Sequence, residues 1–171
     1  MELRVEKTKL DGVLLIKPDT FEDFRGEYVE LYNRELYQKA GVGVEFVQDD
    51  ISVSHKNVLR GFHGDLKTTK MISCLLGRFY MVVVNCDKDS AGYGQWQGFT
   101  LTEKNRFQVL VPPKHGLGHL ALTDRIIFHY KQSTYYDPAS QFTRVWNDPE
   151  LNVWWPVKNP ILSQRDEQGH W

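Results

Sequence analysis

Residues 52–70, SVSHKNVLRGFHGDLKTTK, decide how this chain is read. Val53, Val58, Leu59 and Phe62 alternate with polar neighbours, so the stretch reads as two strand pieces joined by a His-Lys-Asn turn at residues 55–57. The same segment carries Arg60, His63 and Lys70. Strict alternation predicts Arg60 and Phe62 on one face and Leu59, Gly61 and His63 on the other. A strand of this kind lining a barrel would present a base, with a cation beside it, to an inward-facing site.

With 171 residues, the chain is expected to form one domain, residues 1–171, around one well-buried core. Its 21 basic and 22 acidic residues leave no electrostatic footprint for nucleic acid or an anionic membrane, while a nucleotide attached to a small substrate stays compatible. Cys74 and Cys86 both sit in apolar strand-like runs and read as reduced core thiols rather than a disulfide scaffold. The first ten residues, MELRVEKTKL, are charged and lack an apolar signal core, and the longest apolar run, residues 79–84, is too short to span a bilayer. The expected compartment is the cytoplasm.

Outward from the opening stretch, short runs rich in Val, Ile, Phe, Tyr and Thr recur between turn signals, the pattern of an all-β barrel rather than of βαβ units. Asp11-Gly12 predicts a hairpin between residues 3–10 and 13–17. Asn33 caps a short helix, RELYQKAG, that ends at Gly41. Strands are expected at residues 44–54, 71–76, 79–86, 95–102 and 107–111, the last stopped by Pro112-Pro113. KHGLGH, residues 114–119, reads as a Gly-rich loop, residues 120–122 and 126–133 as a hairpin, and Asn147-Asp148-Pro149 as a helix start. About ten strands and one or two short helices make a compact antiparallel barrel or jelly roll, with room inside for a small ligand.

Several residue types in this pattern can carry chemistry. A lone histidine in a strand is ordinarily a hydrogen-bonded structural residue, but Arg60 and Lys70 beside His63 are cations that a barrel strand does not otherwise need. His63, Asp65 and His119 could together supply metal ligands from adjacent strands, although the His-x-His pair and nearby Glu of a metal cupin are missing. His115 and His119 read equally as solvent-facing loop residues or as ligand contacts. Tyr130 is either a core tyrosine or a phenol aimed into the barrel, and Asp166 alone reads as a surface residue of the tail. No nucleophile elbow, P-loop or dinucleotide fingerprint is present in the sequence.

Taken in order, the motifs resemble the dTDP-4-dehydrorhamnose 3,5-epimerase family. They are F-x-D-x-R-G-x-Y-x-E at 21–30, Q-D-D-I-S-x-S at 48–54, L-R-G-F-H at 59–63, Tyr130-Lys131 and Y-Y-D-P at 135–138. W-N-D-P at 146–149, W-W-P at 154–156 and L-S-x-x-D at 162–166 complete the set. The resemblance implies a cupin-type antiparallel jelly roll, no cofactor and no metal. It also implies a homodimer whose partner is a nucleotide-linked 4-keto sugar. On the same ground His63 is the catalytic base, Asp166 the acid paired with it and Tyr130 the proton donor across the ring. Arg60 and Lys70 are the cations beside the base, Lys70 near the C4 oxygen. Arg25 and Glu30 are nucleotide contacts supplied from a neighbouring subunit, Gln48 and Asp50 substrate contacts, and Tyr136 an aromatic contact near the nucleotide.

Three departures from the family pattern stand out: His63-Gly64-Asp65 in place of His-Tyr/Phe-Gln, Asp50 in place of Asn, and residues 114–119 in place of G-F-A-H-G-F. The histidine of that last motif falls on Leu117, which cannot hydrogen-bond a ligand, so either His119 or His115 substitutes from a different angle or the contact is absent. Loss of the Tyr-Gln bulk is expected to make room for a larger sugar, a hexose or heptose on another nucleotide. Rival readings are a metal-dependent cupin using His63, Asp65 and His119, and a non-catalytic sugar-nucleotide binding module, against which the intact trio of His63, Tyr130 and Asp166 speaks.

Overall fold

The computed structural model describes residues 2–169. Among them the strands are β1 (Leu3–Lys7), β2 (Leu14–Pro18), β3 (Thr20–Asp23), β4 (Gly26–Val29), β5 (Gln48–His55), β6 (Leu59–Asp65) and β7 (Lys70–Leu76). They continue as β8 (Arg78–Asn85), β9 (Trp96–Thr102), β10 (Gln108–Val111), β11 (His115–Ala121), β12 (Arg125–Gln132) and β13 (Gln141–Thr143). Two helices are short, α1 (Arg34–Lys39) and α2 (Gln164–Gln168). Asn33 caps α1 as expected, its side chain accepting from the Leu36 N–H.

A six-stranded sheet, β1-β2-β10-β7-β12-β5, faces a five-stranded sheet, β13-β6-β11-β8-β9, all pairs antiparallel, and β3-β4 form a separate hairpin. This is the jelly-roll architecture, with the chain crossing between the two sheets after β5, β6, β7, β9, β10, β11 and β12. Its interior holds Ile72, Cys74, Phe79, Met81, Val83, Val109, Leu117 and Phe128. Both outer faces are also covered: α1 and its flanks pack Tyr37 and Val42 on Ile16, Met71 and Leu110, while the Trp-rich tail lays Leu151 and Trp155 on Leu59, Phe62, Val82 and Val84. Double coverage explains why Phe79 to Val84 is apolar without alternation, since each side of β8 meets a core. No helix among the described residues is long and apolar enough to cross a membrane.

Four local expectations are corrected. Residues 115–121 are not a loop but β11, a strand buried along its whole length. Its glycines serve close packing rather than turning: a Cβ on Gly116 would sit 3.3 Å from Phe62, and one on Gly118 3.1 Å from both Phe62 and Trp155. β11 and β12 do not pair as a hairpin, because they belong to opposite sheets. Residues 147–149 start turns rather than a helix, and the second helix is α2, capped by Ser163. Finally, alternation fails within β6. Leu117 pairs with His63 and His119 with Arg60, so Gly61 and Phe62 together oppose the single residue Gly118. Such a bulge adds one residue to β6 and turns Arg60 and His63 to the same side. Gly61 makes it feasible: its φ is 124°, and a Cβ there would lie 2.5 Å from the Leu117 carbonyl oxygen.

Candidate active site

The bulge opens β6 onto a cavity of about 210 Å³ between the two sheets. Arg60 and His63 enter it from β6, Leu117 and His119 from β11, Lys70 from β7, and Phe128, Tyr130 and Gln132 from β12. Ser52, Tyr136, Gln141 and Arg165 complete the wall. His63 and Tyr130 therefore reach one space from opposite sheets.

Asp166 arrives from the far end of the chain by a short set of backbone bonds. The Ile161 N–H donates to the Asn57 carbonyl at 2.8 Å, and the Leu59 N–H donates to the Ile161 carbonyl at 3.0 Å, tying the tail to the start of β6. α2 then begins beside the strand, with the Asp166 N–H donating to the Ser163 hydroxyl at 3.2 Å. The buried carboxylate meets His63 Nε2 at 2.5 Å. Burial alone would raise the Asp166 carboxyl, but hydrogen bonds from His63, Ser163 and the Gly61 N–H, with the charge of His63, outweigh it and hold the group below its ordinary value. A carboxylate can only accept, so Nε2 carries the proton and Nδ1 is the nitrogen left to take one.

Around this pair the cavity is dry enough to perturb its other groups. Burial raises the Tyr130 phenol, helped by Asp50 and Tyr136 and opposed by Arg60, so it stays a proton carrier at neutral pH. Burial lowers Lys70, whose ammonium lies 5.7 Å from the Tyr130 ring centroid. Burial also drives His119 down to about 3, with the charges of Arg60 and His63 adding to the effect. His119 is thus a neutral imidazole, stacked 3.9 Å from Phe128, and its Nε2 is a buried atom without a hydrogen-bond partner. The Ser52 hydroxyl is in the same condition. Unpaired buried polar atoms lining a cavity are where a polar ligand is recovered at least cost.

Of the residues singled out in the sequence, Arg60, His63, Lys70, His119, Tyr130 and Tyr136 line the cavity, and Asp166 contacts His63 from behind. Gln48 and Asp50 do not line it. Gln48 and Gln132 both donate to Asp50 at 2.7 Å, and the Tyr136 N–H donates to Gln48 at 2.9 Å, so they brace cavity residues. Arg25 lies on the β3-β4 hairpin, where it pairs with Asp23 at 2.6 Å, and Glu30 follows that hairpin. Neither reaches the cavity of its own chain. His115, on the same face of β11 as Leu117 and His119, is buried beneath the cavity, so the solvent-facing reading of these histidines is corrected.

Four polar cavity residues were not singled out: Ser52, Gln132, Gln141 and Arg165. Ser52 was recoverable, since Gln48, Asp50 and Ser52 alternate onto one face of β5. Arg165 carried no signal beyond its place next to Asp166; here its Nε donates to Thr143 at 2.7 Å. The expected spare room at Gly64 is also corrected. Phe142 of β13 pairs with Gly64 across the strands and occupies the place a side chain would take, on the outer face of the sheet. Asp65 is turned onto amide donors, the N–H groups of Lys67 and Thr68 at 2.8 and 2.9 Å and the Gln141 side chain. It does not join His63 and His119, and among the described residues no three His, Cys, Asp or Glu side chains converge on a metal position.

A jelly roll whose two sheets aim an imidazole–carboxylate pair and a half-buried phenol at one space is a cupin-type barrel equipped for proton transfer. The sequence profile of dTDP-4-dehydrorhamnose 3,5-epimerase matches residues 7–171. The chain belongs to that family. It is 36% identical over 171 residues to the dTDP-4-dehydrorhamnose 3,5-epimerase of Shigella flexneri, covering 98% of this chain and 94% of the relative. The crystal structure of the enzyme of that name from Bacillus anthracis, with TDP and pyrophosphate bound, superposes with a TM-score of 0.94 at 36% identity over 98% of each chain. A 4-keto-6-deoxy sugar epimerase from the novobiocin gene cluster of Streptomyces spheroides gives 0.93 at 30% identity, over 99% of this chain and 87% of the other.

Proposed function

We propose that this chain is a cofactor-independent isomerase that inverts C3, C5 or both of a nucleotide-linked 4-keto sugar, hexose or heptose, in the cytoplasmic synthesis of surface-polysaccharide sugars. One observation carries the reading: His63 and Tyr130 face one cavity from opposite sheets, in a member of this family. Inversion needs a proton removed on one face of the ring and returned on the other.

The C4 carbonyl acidifies the hydrogens at C3 and C5. His63 takes one at Nδ1 while Asp166 fixes the tautomer and stabilises the imidazolium that forms. The electron pair of the C–H bond moves onto the C4 oxygen, and the Lys70 ammonium, with Arg60 nearby, stabilises the enolate in a dry site. Tyr130 then donates its proton to the same carbon from the other face as the enolate collapses to the ketone. Proton exchange with solvent resets the imidazolium and the phenolate. Tyr136, Gln141 and Arg165 line both the cavity and an outer groove that also includes Leu66 and Pro138, which supports a nucleoside diphosphate lying along it with Arg165 at the phosphates. The site is completed in a homodimer by Arg25 and Glu30 of a second copy.

Incubation with nucleotide-linked 4-keto-6-deoxyhexoses and 4-keto heptoses in deuterated water tests the proposal. The expected result is solvent deuterium at C3 or C5, lost on His63→Asn substitution. No incorporation with any such sugar, or unchanged incorporation in the variant, overturns it.

A further inference from the structure

Beneath the main cavity lies a small chamber of about 10 Å³ walled by His63, Asp65, Thr68, Lys70, His115 and Leu117 among others. Asp65 is almost wholly buried there, 3% exposed, on the inner face of β6. Its carboxylate is held in place by three amide donors, from Lys67, Thr68 and Gln141. Dipoles alone hold a buried carboxylate at a cost, and such a charge calls for a counter-charge nearby. Lys70, across the chamber, has the complementary problem of a desolvated ammonium.

We propose that Asp65 is the counter-charge that keeps the Lys70 ammonium protonated inside the cavity, acting on the enolate only through Lys70. Its catalytic consequence rests on the assignment of Lys70 to the C4 oxygen, whereas the Asp65–Lys70 coupling itself does not. Nine titratable groups share the two cavities with Lys70 or act on it through space. Asp65, His63 and Arg60 come from β6, Asp50 from β5, Tyr130 from β12, His115 and His119 from β11, Arg165 from α2, and Tyr136 from the segment after β12. Burial pushes Lys70 down, Arg165 adds to that, and Asp65 is the leading opposing influence, ahead of Asp50. Lys70 in turn helps hold the Asp65 carboxyl low against burial. His115 adds no competing positive charge: its Nδ1 lies 3.0 Å from the Pro113 carbonyl, its Nε2 is buried without a partner, and burial lowers its proton affinity. Asp65 is thus a positioning residue, set by geometry behind the cation.

Competitive acetylation of the free protein, with peptide mass spectrometry following Lys70 against pH, reads the coupling without any substrate. In Asp65→Asn, which keeps the acceptor oxygen for the Lys67 and Thr68 amides, the Lys70 midpoint is expected to fall by about one pH unit. Linkage works in both directions, so in Lys70→Met the Asp65 carboxyl, followed by carbon-13 NMR, is expected to titrate about one unit higher. The second measurement decides the matter where Asp65→Asn fails to fold. Unmoved midpoints overturn the proposal. With an accepted 4-keto sugar, the basic limb of kcat in Asp65→Asn moves to lower pH by the same amount, while a merely structural role lowers kcat evenly and leaves the limb in place. Absence of turnover with every sugar, combined with a shifted Lys70 midpoint, would overturn the epimerase reading and leave the coupling standing.

Discussion

His119 shows how much a single side chain can be altered by its surroundings. An imidazole ordinarily titrates at 6.5, and burial here holds it neutral down to about 3. Between those two values the unfolded chain binds a proton at this position and the folded chain does not. Stability therefore rises with pH across the window and is lost as pH falls through it. From pH 7 to pH 5 the group alone removes about 2 kcal/mol. His119→Gln, which keeps a polar side chain without a titrating proton, is expected to flatten the dependence of stability on pH between 7 and 5. Urea unfolding of both proteins at several pH values checks this, and parallel slopes would show that His119 titrates normally. Asp166 contributes in the same sense at a lower pH. Its folded carboxyl is depressed, so its stabilisation is complete above the ordinary carboxylate range and disappears as pH falls below it.

At the scale of elements, β6 is where sequence pattern and structure part company. Gly64 and Phe142 are cross-strand partners, and the ring fills the space a side chain at 64 would need. Gly64→Tyr is expected to cost about 1–3 kcal/mol by overpacking, and Phe142→Ala about 3–5 kcal/mol by leaving a cavity. Combined, the two changes should cost less than their sum by at least about 0.5 kcal/mol, because each relieves the defect of the other. Denaturant midpoints of the four proteins close this cycle; strict additivity would mean that the two positions do not share space. Compensation of this kind is hidden from a single sequence, since nothing in residues 141–143 marks Phe142 as the partner of Gly64. The bulge in β6 was hidden for a related reason: it is defined by register against β11, and β11 itself was masked by two glycines that read as turn formers. By contrast, the strands of β7 to β10 and the cap of α1 were legible, because apolar runs, prolines and Asn33 act within a few residues. Asp166 lay between these cases. Its type and position fitted an ordered motif, while its contact with His63 depends on the Ile161 tether that only the folded chain reveals.

At the scale of the whole molecule, the features left unexplained by one chain fall on the β3-β4 hairpin and on the edge strand β5. Phe21, Phe24 and Tyr28 are 59%, 98% and 60% exposed there, a concentration of apolar surface that a soluble monomer rarely presents. Beside them Arg25 and Glu30, proposed above as contacts to a second copy's ligand, do not reach the cavity of their own chain. β5, the edge strand of the six-stranded sheet, exposes Ile51 and Val53 on its outer face. A symmetric pair of chains resolves all three observations if each hairpin crosses to the other copy's cavity. Such an arrangement predicts functional complementation. Arg25→Ala leaves His63 intact in its own chain, and His63→Asn leaves Arg25 intact for its partner, so a mixed dimer assembles one complete site from two defective chains. Mixing equal amounts of the two variants under conditions that exchange subunits is expected to restore activity to roughly one quarter of the wild-type sites, with sedimentation confirming a dimer. Two self-contained monomers would restore nothing on mixing, and a monomeric mass would remove the second chain from the site altogether.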